Sequence, residues 1–175
     1  MYTSQAQTNN YEIGLGIYDI TGQIAETNFF GYAVTTHRNK GIRDRQYARA
    51  YIIQEPSATP VVFVCVDKGA VFQAVTDAVM VKLQAAYGTL YTDQNVIISA
   101  THTHVGVGGC SHYGLYTTAT GGYWGTNFDN MVDGIYEAIV RAHNHIAPGR
   151  IYYNKGTLTD ASINRSLVAL SLIHI

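Results

Sequence analysis

Charge is scarce in this chain. Asp, Glu, Lys and Arg make up 13% of its 175 residues and nearly cancel, leaving a net charge of −1. There is no basic run and no acidic tail, so charge does not point to nucleic acid. Long apolar runs are missing as well. Those present, such as VVFVCV at 61–66, fall far short of the ~20 residues that cross a bilayer. The opening MYTSQAQTNNYEIG has neither a basic start nor an apolar stretch, so it does not read as a secretion signal. Two cysteines cannot build a disulfide framework. Cys65, inside an apolar run, reads as a small buried hydrophobe. Cys110, near two histidines, is a candidate soft metal ligand without zinc-finger spacing. What the chain has is 47% hydrophobic residues and 14 tyrosines. That is enough for one folded domain with its own core, and the mix suits an extracellular or surface-active protein.

Periodicity supplies the elements. YEIGLGIYDITG alternates Ile13, Leu15 and Ile17 before a Thr21-Gly22 turn, which predicts a strand. QIAETNFFGYA is irregular and reads as a loop. RDRQYARAYIIQ predicts a second strand, ended by Glu55-Pro56. PVVFVCVD and NVIISA are continuous apolar runs, as expected of strands buried on both faces. From Ala70 to Tyr87, Val71, Val75, Ala78, Val79, Leu83 and Ala86 recur at helical spacing, and Gly88 stops the helix. From Phe128 to Ile146, Met131, Val132, Ile135, Ile139 and Val140 mark a second helix, broken at Pro148-Gly149, with RIYYNKG as a following strand. Such alternation predicts an α/β fold: a parallel or mixed sheet with flanking helices.

The chemistry gathers in SATHTHVGVGG, Ser99 to Gly109. His102 and His104 directly follow a strand, and sites in open α/β sheets gather at strand carboxyl ends. In extended backbone, residues two apart point to the same side, so both rings can face one cavity. Imidazole ligates zinc or acts as acid, base or hydrogen-bond donor. Gly106, Gly108 and Gly109 let backbone approach a ligand, and their N–H groups could hold an oxyanion. An HxH pair alone leaves metal site, catalytic pair and plain loop all open. His143 and His145 fall where they would meet the carbonyl end of the second helix. His37 and His112 read as loop residues, and His174 is terminal. Asp19 and Asp67 each end a strand, where they either orient a histidine or satisfy local N–H groups. Arg165, in INRS, has the fork that clamps a carbonyl or carboxylate.

Taken in order, GIYDITG, GYA at Gly31, YARAYII, VIISATHTH with the glycines after it, and NKGTLTDASINRS resemble the neutral/alkaline (non-lysosomal) ceramidase family from about Ile13 to Ser166. The resemblance implies a zinc-dependent amidohydrolase that splits N-acylsphingosine into sphingosine and a fatty acid, on an N-terminal α/β domain followed by an immunoglobulin-like one. It implies His102 as the first zinc ligand. It also implies His104 and Arg165 as catalytic residues. A calcium or magnesium ion between the family's domains is implied too, with a backbone carbonyl near Arg43 as one ligand. The partners implied are ceramide and a membrane or micelle surface. The location implied is secreted or membrane-associated, although no signal peptide is visible.

The chain also departs from the family. The family's other zinc ligands, a His, a Glu and a Tyr, have no counterpart here. Val105 and Val107 stand where the family commonly has Ser and Pro. The tail LVALSLIHI at 167–175 is atypical of the family. Residues 1–166 are therefore expected to be a partial N-terminal catalytic domain, inactive by itself. The competing expectations are a non-catalytic lipid- or partner-binding fragment, or another HxH zinc hydrolase.

Overall fold

The computed structural model describes residues 5–6, 11–161, 163 and 166–173. The chain divides into two compact units, one of residues 9–150 and one of residues 1–8 with 151–175.

The larger unit is built on a five-stranded sheet. In chain order its elements are β2 (Tyr11–Asp19), β3 (Tyr47–Gln54), β4 (Val61–Val66), helix α1 (Gln73–Tyr87), β5 (Val96–Ala100), the short α2 (Gly114–Thr117), α3 (Gly125–Asn144) and β6 (Ala147–Gly149). The sheet order is β5-β4-β3-β2-β6. Only β4 and β5, joined through α1, pair in parallel; the β3–β4, β2–β3 and β2–β6 pairs are antiparallel. The sheet is thus mixed, because the short loop between β3 and β4 reverses the chain where a parallel step needs a crossover. β6 contains the Pro148-Gly149 pair, which by its residues alone reads as a helix break. Pro148 lies in it opposite Glu12, at an edge of the sheet, where a missing N–H donor is tolerated.

One face of the sheet makes the core. Ala48, Ala50, Ile52, Val62, Val64 and Val66 are buried there with Val75, Val79 and Leu83 of α1 and Met131, Ile135 and Ile139 of α3. Neither helix has a side-chain cap at its N-terminus, so packing of the apolar face holds them in place. α1 ends at Gly88 (φ +61°), as the sequence indicates. Gly14 and Gly16 let α3 lie directly on β2: a Cβ at either would collide with the carbonyl of Ala142 or Ala138.

The opposite face is open. Val61 and Phe63 of β4 and Ile97 of β5 are exposed, and Cys65 is half-buried. The expectation that these two strands are buried on both faces does not hold. Both helices lie on one side, so alternate residues of each strand reach solvent.

In the smaller unit, β1 (Gln5–Ala6) pairs antiparallel with β7 (Tyr152–Tyr153), and the tail forms α4 (Leu167–Ile173). No helix among the described residues is long and apolar enough to cross a membrane.

Candidate functional site

The site forms where the parallel pair of strands ends. The ladder runs one residue past β5, with the Thr101 N–H on the Val66 carbonyl at 2.9 Å. The chain then turns at His102, whose φ of +61° lies in the left-handed region. A side chain there costs roughly 1 kcal/mol or more, and such strain concentrates at functional sites. His102 and His104 are therefore not two residues of one extended strand. The turn brings their rings together instead, with centroids 4.8 Å apart and Nε2 to Nε2 at 3.0 Å.

Backbone sets the ring chemistry. The chain leaving β4 runs beside the loop and offers the Gly69 carbonyl to His102 Nδ1 at 2.7 Å. A carbonyl only accepts, so Nδ1 carries the proton. Nε2 of the neutral ring then holds a lone pair, which accepts from His104 Nε2–H. Gly69 has no room for a side chain because Phe30 occupies the space. His104 is seated by the 30–32 turn. A Cβ at Gly31 (φ +119°) would lie 2.5 Å from the His104 ring, and Tyr32 meets that ring edge-on at 4.8 Å. Gly69, Gly31 and Tyr32 are the positioning residues that sequence reading missed. Gly31 had a signal in the GYA block, whereas Gly69 had none.

The loop glycines serve packing. Gly106, Gly108 and Gly109 are buried. Gln46, Thr120 and Trp124 fill the places where their Cβ atoms would be, and Gly108 N–H is taken by the Asn28 carbonyl at 2.9 Å. Gly108, with its N–H committed, offers no donor to the oxyanion cradle that the sequence suggests. The cavity nearby, about 430 Å³, lies on the other side of the loop. Thr101, Thr103, Val105 and Val107 line it, together with Ile42, Arg43 and Gln46, and the histidines do not.

The remaining candidates divide. Asp19 closes the turn after β2, accepting from Thr21 N–H at 2.8 Å, the Thr21 hydroxyl and Arg45 at 3.0 Å. Burial works to raise its pKa, but these hydrogen bonds and the Arg45 charge outweigh it and hold the carboxyl below its usual range. Asp67 accepts from Tyr47 N–H at 3.0 Å and from Arg49 at 2.8 Å. Both aspartates thus satisfy local groups and orient no histidine. His145 Nδ1–H donates to the Arg141 carbonyl at 2.6 Å, as a helix end predicts. His143 does not: its Nδ1 meets the buried Tyr91 hydroxyl at 2.7 Å. His37 and His112 are loop residues. Cys110 is buried, which pushes its thiol pKa up against the opposing charge of Lys68. Among the described residues, no group of three or more His, Cys, Asp or Glu could hold a metal ion. Arg165 and His174 lie outside the described residues.

Sequence reading also missed Lys68. It is 2% exposed, with its amine 3.3 Å from Gln46 Oε1. Burial lowers its pKa to about 8, against the pull of Cys110, Asp19 and Asp67.

Residues 11–172 match the family model described as neutral/alkaline non-lysosomal ceramidase, N-terminal. The chain belongs to this family. It is 46% identical over 156 residues to a neutral ceramidase of Oryza sativa subsp. japonica, covering 89% of this chain and 20% of that protein. It is 43% identical over 160 residues to the neutral ceramidase of Pseudomonas aeruginosa, covering 91% and 24%. A crystal structure of neutral ceramidase from Pseudomonas aeruginosa superposes with a TM-score of 0.91 at 42% identity, covering 94% of this chain and 26% of that one. A structure of a ceramidase complexed with C2 gives 0.90, also at 42% identity, covering 93% and 26%. The chain thus spans a fifth to a quarter of the length of the ceramidases it matches.

Proposed function

We propose that this chain contributes one corner of a zinc amidohydrolase site that cleaves N-acylsphingosine. His102 is the zinc ligand, and His104 and Arg165 act on the substrate. The observation that carries the reading is the Gly69 carbonyl on His102 Nδ1. Ligating histidines characteristically donate their other ring N–H to such an acceptor, which fixes the tautomer and raises the ligand's basicity. His102 fits the metal, and its Nε2 is the atom that would hold it. The described residues do not complete the set, since zinc takes three or four ligands. The family's other His, Glu and Tyr would have to supply the rest.

Zinc, when bound, lowers the pKa of its water and polarises the amide carbonyl. The protein residues do the rest. Gly69 keeps the His102 lone pair on Nε2, which His104 occupies until a metal takes its place. Gly31 and Tyr32 hold the His104 ring beside it, so that its Nε2–H, released from His102, can donate to an oxygen of the substrate. Arg165 supplies a fixed positive charge for a developing oxyanion. The calcium or magnesium ion belongs to the same reading. Its ligand is a carbonyl near Arg43, whose own side chain is exposed and pairs with Asp44 at 3.5 Å. So does a secreted or membrane-associated location.

The test is metal content and N-acylsphingosine hydrolysis, measured for this chain alone and fused to the rest of the Pseudomonas ceramidase. The expected result is about one zinc and activity in the fusion only, with both lost in His102→Ala. A fusion that is folded but zinc-free, or an active His102→Ala, would overturn the reading. The second reading, a lipid- or partner-binding fragment without chemistry, is favoured by the absence of a complete ligand set among the described residues. A folded, zinc-free fusion that still binds lipid would support it.

A further inference from the structure

From Gln94 to Phe128 the chain contains no Asp, Glu, Lys or Arg. The second half of this stretch is a loop that carries the short α2 and leads into α3, and it is aromatic. Tyr113, Leu115, Tyr116 and Tyr123 are exposed along it, Leu115 at 83%. Large apolar groups on a surface are ordinarily interspersed with charges. Here the stretch itself carries none; the nearest ionic group on its own segment is Asp129, just past its end, whose charge reaches Tyr123.

The loop is tied to the histidine pair. Tyr116 lies against Phe72 at 5.3 Å and Phe30 at 6.2 Å, and Tyr113 against Tyr116 at 6.4 Å. Phe30 fills the space above Gly69, whose carbonyl holds His102, and Tyr32, two residues on, holds His104. The aromatic surface and the two imidazoles therefore share one support.

We propose that this loop docks the protein on an uncharged lipid surface, with Leu115 entering the acyl layer and Tyr113, Tyr116 and Tyr123 resting among the headgroups. Tyrosine suits that boundary, with an apolar ring and a wet hydroxyl. A loop without charged groups loses no charge solvation on entering it. For the same reason the surface favours zwitterionic lipid: it has no cations to recruit anionic headgroups. The open sheet face is also apolar, but Arg49 lies among its side chains, beside Leu15, Ile17 and Tyr51, so it is the poorer match. The proposal deepens the ceramidase reading. Its readout is binding, so either can fail alone.

The experiment is co-sedimentation of the chain with phosphatidylcholine vesicles at low and high salt. Binding is expected to be equal at both and to fall about tenfold or more in Leu115→Asp. Tyr116→Ser is expected to weaken it less. Phe63→Asp, on the open sheet face, is expected to leave it unchanged. Far-UV circular dichroism and Trp124 emission check that each variant stays folded. Four results would overturn the proposal: no binding to phosphatidylcholine; binding only to anionic vesicles and lost in salt; loss in Phe63→Asp but not in Leu115→Asp; or light scattering that shows the loop buried between two copies.

Discussion

The two faces of the central sheet are made from the same strands and have opposite fates. On the helix side, Ala48, Ala50, Ile52, Val62, Val64 and Val66 are almost fully buried. On the other side, Leu15, Ile17, Tyr51, Val61, Phe63 and Ile97 are exposed, though they are as apolar and on the whole larger. The difference is what lies above them. The covered face has small residues and glycines that admit two helices at close range. The open face has bulk, and no described helix of the larger unit lies over it. Hydrophobicity alone does not say which face is the core. Side-chain size against a neighbour's backbone does.

The comparison can be broken most strongly at the close approach. Gly16→Val drives side-chain carbons into the Ala138 carbonyl and should cost at least ~3 kcal/mol, or prevent folding, as read by urea denaturation. A loss below ~1 kcal/mol would mean that α3 is not seated on β2 as described.

The next largest effect is at Lys68, just beyond the end of β4. Its folded pKa of about 8 lies below the ordinary 10.5, so folding disfavours the charged form. The cost is fully present below pH 8, where both states are protonated. It fades as pH rises from 8 toward 10.5, because the unfolded chain then binds more protons than the folded one. Stability should therefore rise across that window. Lys68→Met should gain about 2–3 kcal/mol at neutral pH and flatten the rise. A flat profile in the parent protein would show that the amine is solvated.

Tyr91→Phe sharpens the picture at the helix ends. It removes the hydroxyl from His143 and should cost about 1 kcal/mol by thermal unfolding. The smallest effect belongs to the open face. Phe63→Ala should stay within about 0.5–1 kcal/mol of the parent while improving solubility, measured by light scattering. A loss of several kcal/mol would show that this face is covered in solution.

Much of this was legible in the sequence. Local periodicity placed β2, β3, β4, β5, α1 and α3 close to their observed bounds, because alternation and helical spacing are properties of one segment at a time. The THTH stretch and its neighbouring blocks were enough to indicate the family. The pairing of His102 with His104 was also legible, but for the wrong reason, since a left-handed turn and not an extended strand brings the rings together.

What only the tertiary structure decided are relations between distant segments. That the sheet is covered on one side, that Pro148 joins its edge, that Gly69 fixes the His102 tautomer and that Gly31 seats His104 all depend on parts of the chain far apart in sequence. A segment's own residues fix its periodicity. They do not fix which backbone carbonyl will stand 2.7 Å from an imidazole thirty-three positions away, because that distance is set by how strands and loops pack, and packing is a property of the whole fold.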